Sequence, residues 1–100
     1  MLRISITQTT AMVAILLEGR VAGPWAEELQ RTWADVAPTV GKRSVAIDLR
    51  NTTYADASGI GVLRDIYSKT GAELITGSPW TKYLAEEVTR GSANRTNEEQ

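Results

Sequence analysis

A polar turn around Ser58 holds the residues whose types and spacing could do chemistry. Asp56 and Ser58 stand two residues apart after the apolar run Val45–Ile47, and apolar residues recur at helical spacing after them. The pattern predicts a buried strand that passes through the turn into a helix whose N-cap is Ser58. A serine hydroxyl there can satisfy one unpaired N–H group of the helix, and the same helix end favours an anion such as a phosphate. Ser58 is therefore a candidate cap and a candidate phosphate site.

The composition excludes most catalytic chemistry at this turn. The chain has no cysteine and no histidine, so it cannot build a zinc site of the usual kind, a disulfide, a cysteine nucleophile or a triad that depends on imidazole. Asp56 and Ser58 alone lack a general base that would activate the serine. We therefore expect a protein that is not an enzyme and that uses no metal or cofactor, and a small enzyme is the weakest alternative.

The charge balance and hydropathy also restrict the partners. The 100 residues include 11 basic and 12 acidic side chains, with a net charge of −1, so no strong field gathers nucleic acid or an anionic membrane surface. The N-terminal residues alternate apolar and polar types, and no segment approaches the length of a membrane span. We expect a cytoplasmic protein of one domain that neither binds nucleic acid directly nor inserts into a membrane.

Two strands and a helix are predicted before the turn. Alternating residues from Leu2 to Thr7 indicate a strand with one buried face, and the nearly continuous apolar run 12–19 indicates a strand covered on both faces. These two strands form a hairpin. Pro24 predicts the start of an amphipathic helix, which Pro38 and Gly41 close. Its core residues are spaced by three and four: Trp25, Leu29, Trp33 and Val36.

A strand and a further helix are predicted after the helix that Ser58 opens. Gly71 is a natural C-cap, 72–76 is a short strand, and 79–90 is an amphipathic helix. Residues 91–100 contain no large apolar side chain, so we expect one domain over 1–91 and a flexible polar tail over 92–100.

The predicted order is strand, strand, helix, strand, helix, strand, helix. It indicates an α/β fold with a mixed four-stranded sheet, an N-terminal β-hairpin and three helices. The Ser58 turn then lies at the carboxyl end of a parallel strand, where open α/β sheets usually place their sites.

In this order of elements the chain resembles the STAS domain family. The resemblance rests on Val45–Leu49 and on Tyr54–Leu63, which contains the turn Asp-x-Ser-Gly-x-Gly, and it covers the chain through about residue 91. STAS domains occur in bacterial anti-sigma factor antagonists and in sulfate transporters. In the antagonists the serine that matches Ser58 is phosphorylated by the partner anti-sigma factor, a kinase, and the phosphorylated form no longer binds it. A phosphatase restores binding, which frees the sigma factor.

The resemblance implies that Ser58 is a phosphoacceptor within a partner-binding surface. That surface comprises Asp48, Asp56, Ala57, Gly59, Ile60 and Gly61. The chain departs from the family pattern at Ala22, where antagonists commonly carry an acidic residue, and at Ala57, where a serine is frequent. A second hypothesis is a constitutive STAS interaction subunit of a transporter or other signalling complex, which uses the same surface without phosphorylation.

The residues around Ser58 have structural alternatives. Asp56 could accept backbone hydrogen bonds in the turn, and Asp48 could order the turn or meet a partner. Gly59 and Gly61 could allow another backbone to approach closely, and Gly61 could equally relieve packing against the sheet.

Overall fold

The chain folds into four strands and three helices in the predicted order. The structure is a computed structural model that describes residues 1–98, and the side chains of residues 1–90. The elements are β1 (Leu2–Gln8), β2 (Met12–Val21), α1 (Pro24–Val40), β3 (Ser44–Ala55), α2 (Ala57–Thr70), β4 (Glu73–Ile75) and α3 (Pro79–Glu98). The predicted α/β fold class is confirmed.

The four strands form one mixed sheet in the order β1-β2-β3-β4. β1 and β2 pair as the predicted antiparallel hairpin, whereas β3 runs parallel to both β2 and β4. The connections from β2 to β3 through α1 and from β3 to β4 through α2 both move to the next strand in the same direction across the sheet. Right-handed crossovers therefore place α1 and α2 on one face. In agreement, α2 packs against both α1 and α3. The turns that follow β2 and β3 therefore lie next to each other at the same edge of the sheet.

The core lies between this face of the sheet and the three helices. Alternate residues of the two central strands are fully buried, among them Ile15, Leu17, Ile47 and Leu49. The helices contribute Leu29, Leu63, Ile66, Leu84 and Val88. One contiguous apolar cluster thus holds α2, and with it the Ser58 turn, against the sheet.

The first turn of α1 buries Ala26 and not Trp25, so the prediction that Trp25 is a core residue is wrong. Trp25 is 37% exposed, whereas Trp33 is 7% exposed and packs in the core as predicted. The buried positions follow the spacing of Ala26, Leu29 and Trp33, and position 25 lies at the edge of that stripe, about 100° around the helix from Ala26 and about 40° from Leu29. Trp25 is left at the surface near the start of the helix.

Helix α1 ends at Val40 with Gly41 as its C-cap, so the predicted closing role of Gly41 is confirmed, whereas Pro38 lies inside the helix and does not end it. Pro38 removes one backbone hydrogen bond in the last turn, and the Arg43 guanidinium donates to the carbonyls of Thr39 and Val40 at 2.6 Å and 3.1 Å. These bonds satisfy carbonyl groups at the helix end, which the sequence pattern did not indicate.

Both central strands are longer than predicted. The polar residues 50–55, which lie between the predicted strand and the Ser58 turn, continue β3, and β2 passes Gly19 to end at Val21. The two ends pair with each other through register shifts, with Val21 opposite Ala55. Cross-strand pairing supplies the backbone hydrogen bonds of this polar segment, so it is a strand despite its polar sequence.

Helix α3 begins with a reciprocal cap and continues beyond the predicted end at Arg90. The Ser78 hydroxyl accepts from the Thr81 N–H at 3.1 Å, and the Thr81 hydroxyl accepts from the Ser78 N–H at 3.0 Å. The helix runs through Glu98, so most of the segment 92–100, predicted as a tail, has helical backbone. Once a helix is nucleated, each added residue costs little, and a single Gly91 does not stop it.

A chain that ends at Arg90 is nevertheless expected to melt within a few degrees of the full chain. Residues 91–100 contain no large apolar side chain, so their removal takes little apolar surface from the core. Thermal unfolding of both chains, followed by circular dichroism, measures the difference. A large loss of stability would show that this segment contributes packing that its composition does not indicate.

Candidate functional site

Asp56, and not Ser58, is the N-cap of α2. Asp56 has an extended backbone, and its carboxylate Oδ1 accepts a hydrogen bond from the Gly59 N–H at 2.8 Å. Its carbonyl accepts from the Ile60 N–H at 2.9 Å, which is the first bond of the helix. The predicted N-cap at Ser58 is therefore wrong, and the predicted acceptor role of Asp56 in the turn is confirmed. Aspartate and serine cap equally well, so the extended backbone that continues β3 decides which residue caps.

Ser58 lies in the first turn of α2 with its side chain exposed. Its hydroxyl donates to Asp56 Oδ1 at 2.8 Å. The hydroxyl oxygen thus stands at the surface, beside a carboxylate and at the N-terminal end of a helix of 14 residues. The partial positive charge of that end can stabilise negative charge placed on Ser58.

The second carboxylate oxygen of Asp56 reaches the loop that follows β2. Oδ2 accepts from the Gly23 N–H at 3.0 Å, and the Asp56 N–H donates to the Val21 carbonyl at 3.3 Å. The carboxylate therefore joins the starts of α1 and α2. This contact could not be predicted from residue types, because the donor is a backbone N–H group 33 residues away.

These bonds hold the pKa of Asp56 below the usual value of an aspartate. The Gly59 N–H has the largest effect, followed by the Ser58 hydroxyl and the Gly23 N–H, because each stabilises the ionised carboxylate. Asp56 is consequently charged at neutral pH, and any phosphate on Ser58 would be placed beside a fixed negative charge.

The lowered pKa of Asp56 predicts a pH-dependent contribution to stability. Because the pKa is lower in the folded chain, this contribution is complete above the unfolded value of about 4 and is lost as the pH falls through the folded value. We expect the melting temperatures of the wild type and Asp56→Asn to differ at pH 7 and to approach each other as the pH falls below about 4. Thermal melts from about pH 7 to about pH 2.5, which span the ordinary aspartate pKa of about 4, test this. A difference that is unchanged at the acid end would contradict it.

At Gly59, α2 approaches the end of β2 closely. It is buried, and a Cβ atom built on it would lie 1.9 Å from the carbonyl oxygen of Val21. The predicted close approach of a backbone is thus confirmed at Gly59, within the same chain. A Cβ on Gly61 would meet no atom within 4 Å, so the idea that Gly61 relieves packing against the sheet is wrong.

Solved structures share this fold. The chain aligns with a crystal structure of an anti-sigma factor antagonist from Mycobacterium paratuberculosis with a TM-score of 0.76 and 14% identity, over 94% of this chain and 82% of that one. For the anti-sigma factor antagonist SpoIIAA in its unphosphorylated form the TM-score is 0.65 at 15% identity, over 82% and 80% of the two chains. The chain has a STAS-like fold. An uncharacterised protein from Shewanella loihica with a SpoIIAA-like fold aligns with a TM-score of 0.57 and 13% identity, over 85% of this chain and 76% of that one. No protein-family model and no curated protein matches the sequence.

The fold places the predicted surface residues in two regions, the start of α2 and the middle of β3. Ala57, Ser58 and Gly61 are exposed on the first turns of α2, whereas Ile60 is half-buried and packs against the core. Asp48 lies within β3, seven positions before the strand ends at Ala55. Within the described residues, Asp48 makes no hydrogen bond to the turn, so only its role at a partner surface stays a prediction.

Asp48 instead forms an ion pair with Arg50 on the same strand. The Arg50 Nη2 atom lies 2.7 Å from Asp48 Oδ2, and the Arg50 N–H donates to Asp48 Oδ1 at 3.0 Å. The hydrogen bonds from the Arg50 guanidinium have the largest effect on the pKa of Asp48 and hold it below its ordinary value. Asp48 is thus charged on the strand, on the opposite face from Ile47 and Leu49.

Two exposed aromatic residues near the Ser58 turn were not identified from the sequence. Tyr54 is 42% exposed two residues before Asp56, and the Arg20 guanidinium lies 4.6 Å from its ring centroid. Trp25, two residues after Gly23, is the second. Large exposed aromatic side chains are typical of binding surfaces. Their sequence positions gave no signal, because exposure depends on how the strand and the helix are rotated.

Among the described residues, no helix combines the length and the apolar character needed to cross a membrane.

Proposed function

We propose that the chain is a non-enzymatic regulatory module that binds an anti-sigma factor kinase through the Asp56–Ser58 turn and is switched by phosphorylation of Ser58. The observation that carries the proposal is the exposed Ser58 hydroxyl in the first turn of α2, where the helix end can stabilise the charge of a phosphate. It is supported by a fold shared with anti-sigma factor antagonists. Ala57, Ile60 and Gly61 complete the proposed partner surface, with Gly59 below it, and Asp48 is a separate proposed partner contact on the other face of the sheet.

The electrostatics of the turn suit such a switch. A phosphate on Ser58 adds about 1.5 to 2 negative charges at pH 7. The N-terminal end of α2 tolerates these charges, so the fold should survive the modification. Beside the ionised Asp56, however, they make the exposed surface strongly negative. A partner that meets this surface with acidic groups, or with a close apolar contact, would then be repelled.

The proposal includes a phosphatase that removes the phosphate and restores binding, which releases the sigma factor. It places the protein in the bacterial cytoplasm, with no direct contact to nucleic acid. The alternative is a constitutive STAS interaction subunit of a transporter or other signalling complex. The hydrogen bond from Ser58 to Asp56 favours this alternative, because it gives the hydroxyl a structural role that needs no phosphorylation.

Ser58 is expected to be the single site that the partner kinase modifies. Incubation with the cognate kinase and ATP, followed by mass spectrometry of the peptides, should locate one phosphate on Ser58 at high stoichiometry. Thr52 and Thr53 are the informative neighbours, since Thr52 is only 3% exposed and Thr53 lies exposed on β3. The matched control is Ser58→Ala, which should remain unmodified. Stable modification of Thr52 or Thr53 in place of Ser58 would contradict the proposal.

A further inference from the structure

One carboxylate joins the Ser58 turn to the loop before α1. We call this arrangement the Asp56 bridge: Oδ1 accepts from the Gly59 N–H and the Ser58 hydroxyl, both at 2.8 Å, and Oδ2 accepts from the Gly23 N–H at 3.0 Å. Three donors from two separate parts of the chain thus share one anion. Movement or loss of the carboxylate therefore affects all three donors at once.

The loop Ala22–Trp25, which includes the first two residues of α1, has no side-chain cap of its own. Gly23 is the N-cap of α1 and lacks a side chain to accept a hydrogen bond. The loop is closed by local backbone bonds, from the Trp25 N–H to the Ala22 carbonyl at 3.0 Å and from the Ala26 N–H to the Gly23 carbonyl at 3.1 Å. Within the described residues, the hydrogen bond to Asp56 is the one that ties this loop to α2, and the exposed Trp25 lies two residues after its donor, Gly23.

A phosphate on Ser58 is incompatible with the Asp56 bridge as it stands. The ester oxygen of phosphoserine has no proton to donate to Oδ1, and the phosphate oxygens repel a carboxylate at this distance. The same oxygens are strong acceptors for the N–H groups at the start of α2, including that of Gly59. The phosphate therefore competes with Asp56 for its donor and drives the carboxylate away.

We propose that Asp56 transmits the phosphorylation state of Ser58 to the loop Ala22–Trp25. When the carboxylate moves, the Gly23 N–H loses its charged acceptor, and the start of α1 with Trp25 is released from the turn. The partner then meets a surface that differs at two places, the phosphate itself and the loop that carries Trp25. This inference rests on the proposed phosphorylation of Ser58, and it makes Asp56 a positioning residue of the switch.

The test follows the Gly23 amide by NMR in the ¹⁵N-labelled full chain. Phosphoserine is installed at position 58 by genetic-code expansion, so that no kinase is required. Hydrogen exchange at Gly23 is expected to be at least about tenfold faster in the phosphoserine chain than in the unmodified chain, since an amide that bonds to a charged group loses that protection. Its proton resonance should also move upfield. The Gly71 amide, which donates to the Tyr67 carbonyl at 2.7 Å, is the internal reference and should not change.

Three variants separate the bridge from the loss of the hydroxyl alone. Asp56→Asn and Asp56→Ser keep an N-cap side chain but cannot accept from Gly59 and Gly23 together, so both should expose the Gly23 amide as phosphoserine does. Ser58→Ala removes the hydroxyl and keeps the carboxylate, so its Gly23 amide should exchange within about twofold of the unmodified rate.

Two results would overturn the inference. The first is a phosphoserine chain whose Gly23 amide exchanges at the unmodified rate while both Asp56 variants exchange fast. The second is slow exchange in both Asp56 variants. The proposed function fails on a different result, the absence of phosphate on Ser58 after incubation of the wild type with the kinase, so the two failures are distinguishable.

Discussion

Replacing Gly59 with alanine is expected to destabilise the fold by about 3 kcal/mol, near the upper end of what overpacking usually costs. The added Cβ would stand 1.9 Å from the Val21 carbonyl oxygen and 2.9 Å from its carbon. Both are backbone atoms of a fully buried strand residue, so no side chain can rotate away. Either α2 or the end of β2 must shift, and the Asp56 N-cap lies between them.

Gly61→Ala is the matched control on the same helix. No atom lies within 4 Å of the added Cβ, and alanine favours a helix over glycine by about 0.5–1 kcal/mol. This variant is therefore expected to be slightly more stable than the wild type. Urea unfolding of the two variants measures the contrast. Equal stabilities would show that α2 does not approach the sheet as closely as the structure has it.

The elements of the fold were predictable because their patterns are strong. Leu2–Thr7 alternates, Leu29 and Trp33 repeat at helical spacing, and Gly71 adopts the expected left-handed conformation at the end of α2. The site was less predictable, since Asp56 and Ser58 both cap helices well and only the path of β3 distinguishes them. The Gly23 contact lay beyond sequence reasoning, because a backbone N–H group has no residue type to recognise.

Ser58→Asp is expected to bind the partner kinase ten- to a hundredfold more weakly than Ser58→Ala. The new carboxylate at position 58 and an acidic group of the partner about 4 Å away would repel by about 4 kcal/mol near a protein surface, and salt and exposure reduce this considerably. A residual cost of about 1.4–2.8 kcal/mol corresponds to that range of affinity. Ser58→Ala adds no charge beside Asp56, so it should bind like the unmodified wild type and stay in the binding form.

Both variants should fold, because Asp56 and not Ser58 caps α2. Ser58→Ala loses one exposed hydrogen bond, which costs at most about 1 kcal/mol. Ser58→Asp places a carboxylate in the first turn of a helix, where the helix dipole offsets part of its repulsion from Asp56. Thermal melts run beside the titrations show whether a change in affinity reflects binding alone. Equal affinities of the two folded variants would assign Ser58 a purely structural role.

The most direct measurement is calorimetric titration of the cognate anti-sigma factor kinase with the unmodified chain and with the same chain phosphorylated on Ser58. We expect the unmodified chain to bind, and the phosphorylated chain to bind at least about a hundredfold more weakly, since phosphate carries more charge than aspartate. Treatment with a phosphatase should restore the first affinity. Equal affinities of the two forms would contradict the switch and favour a constitutive interaction subunit.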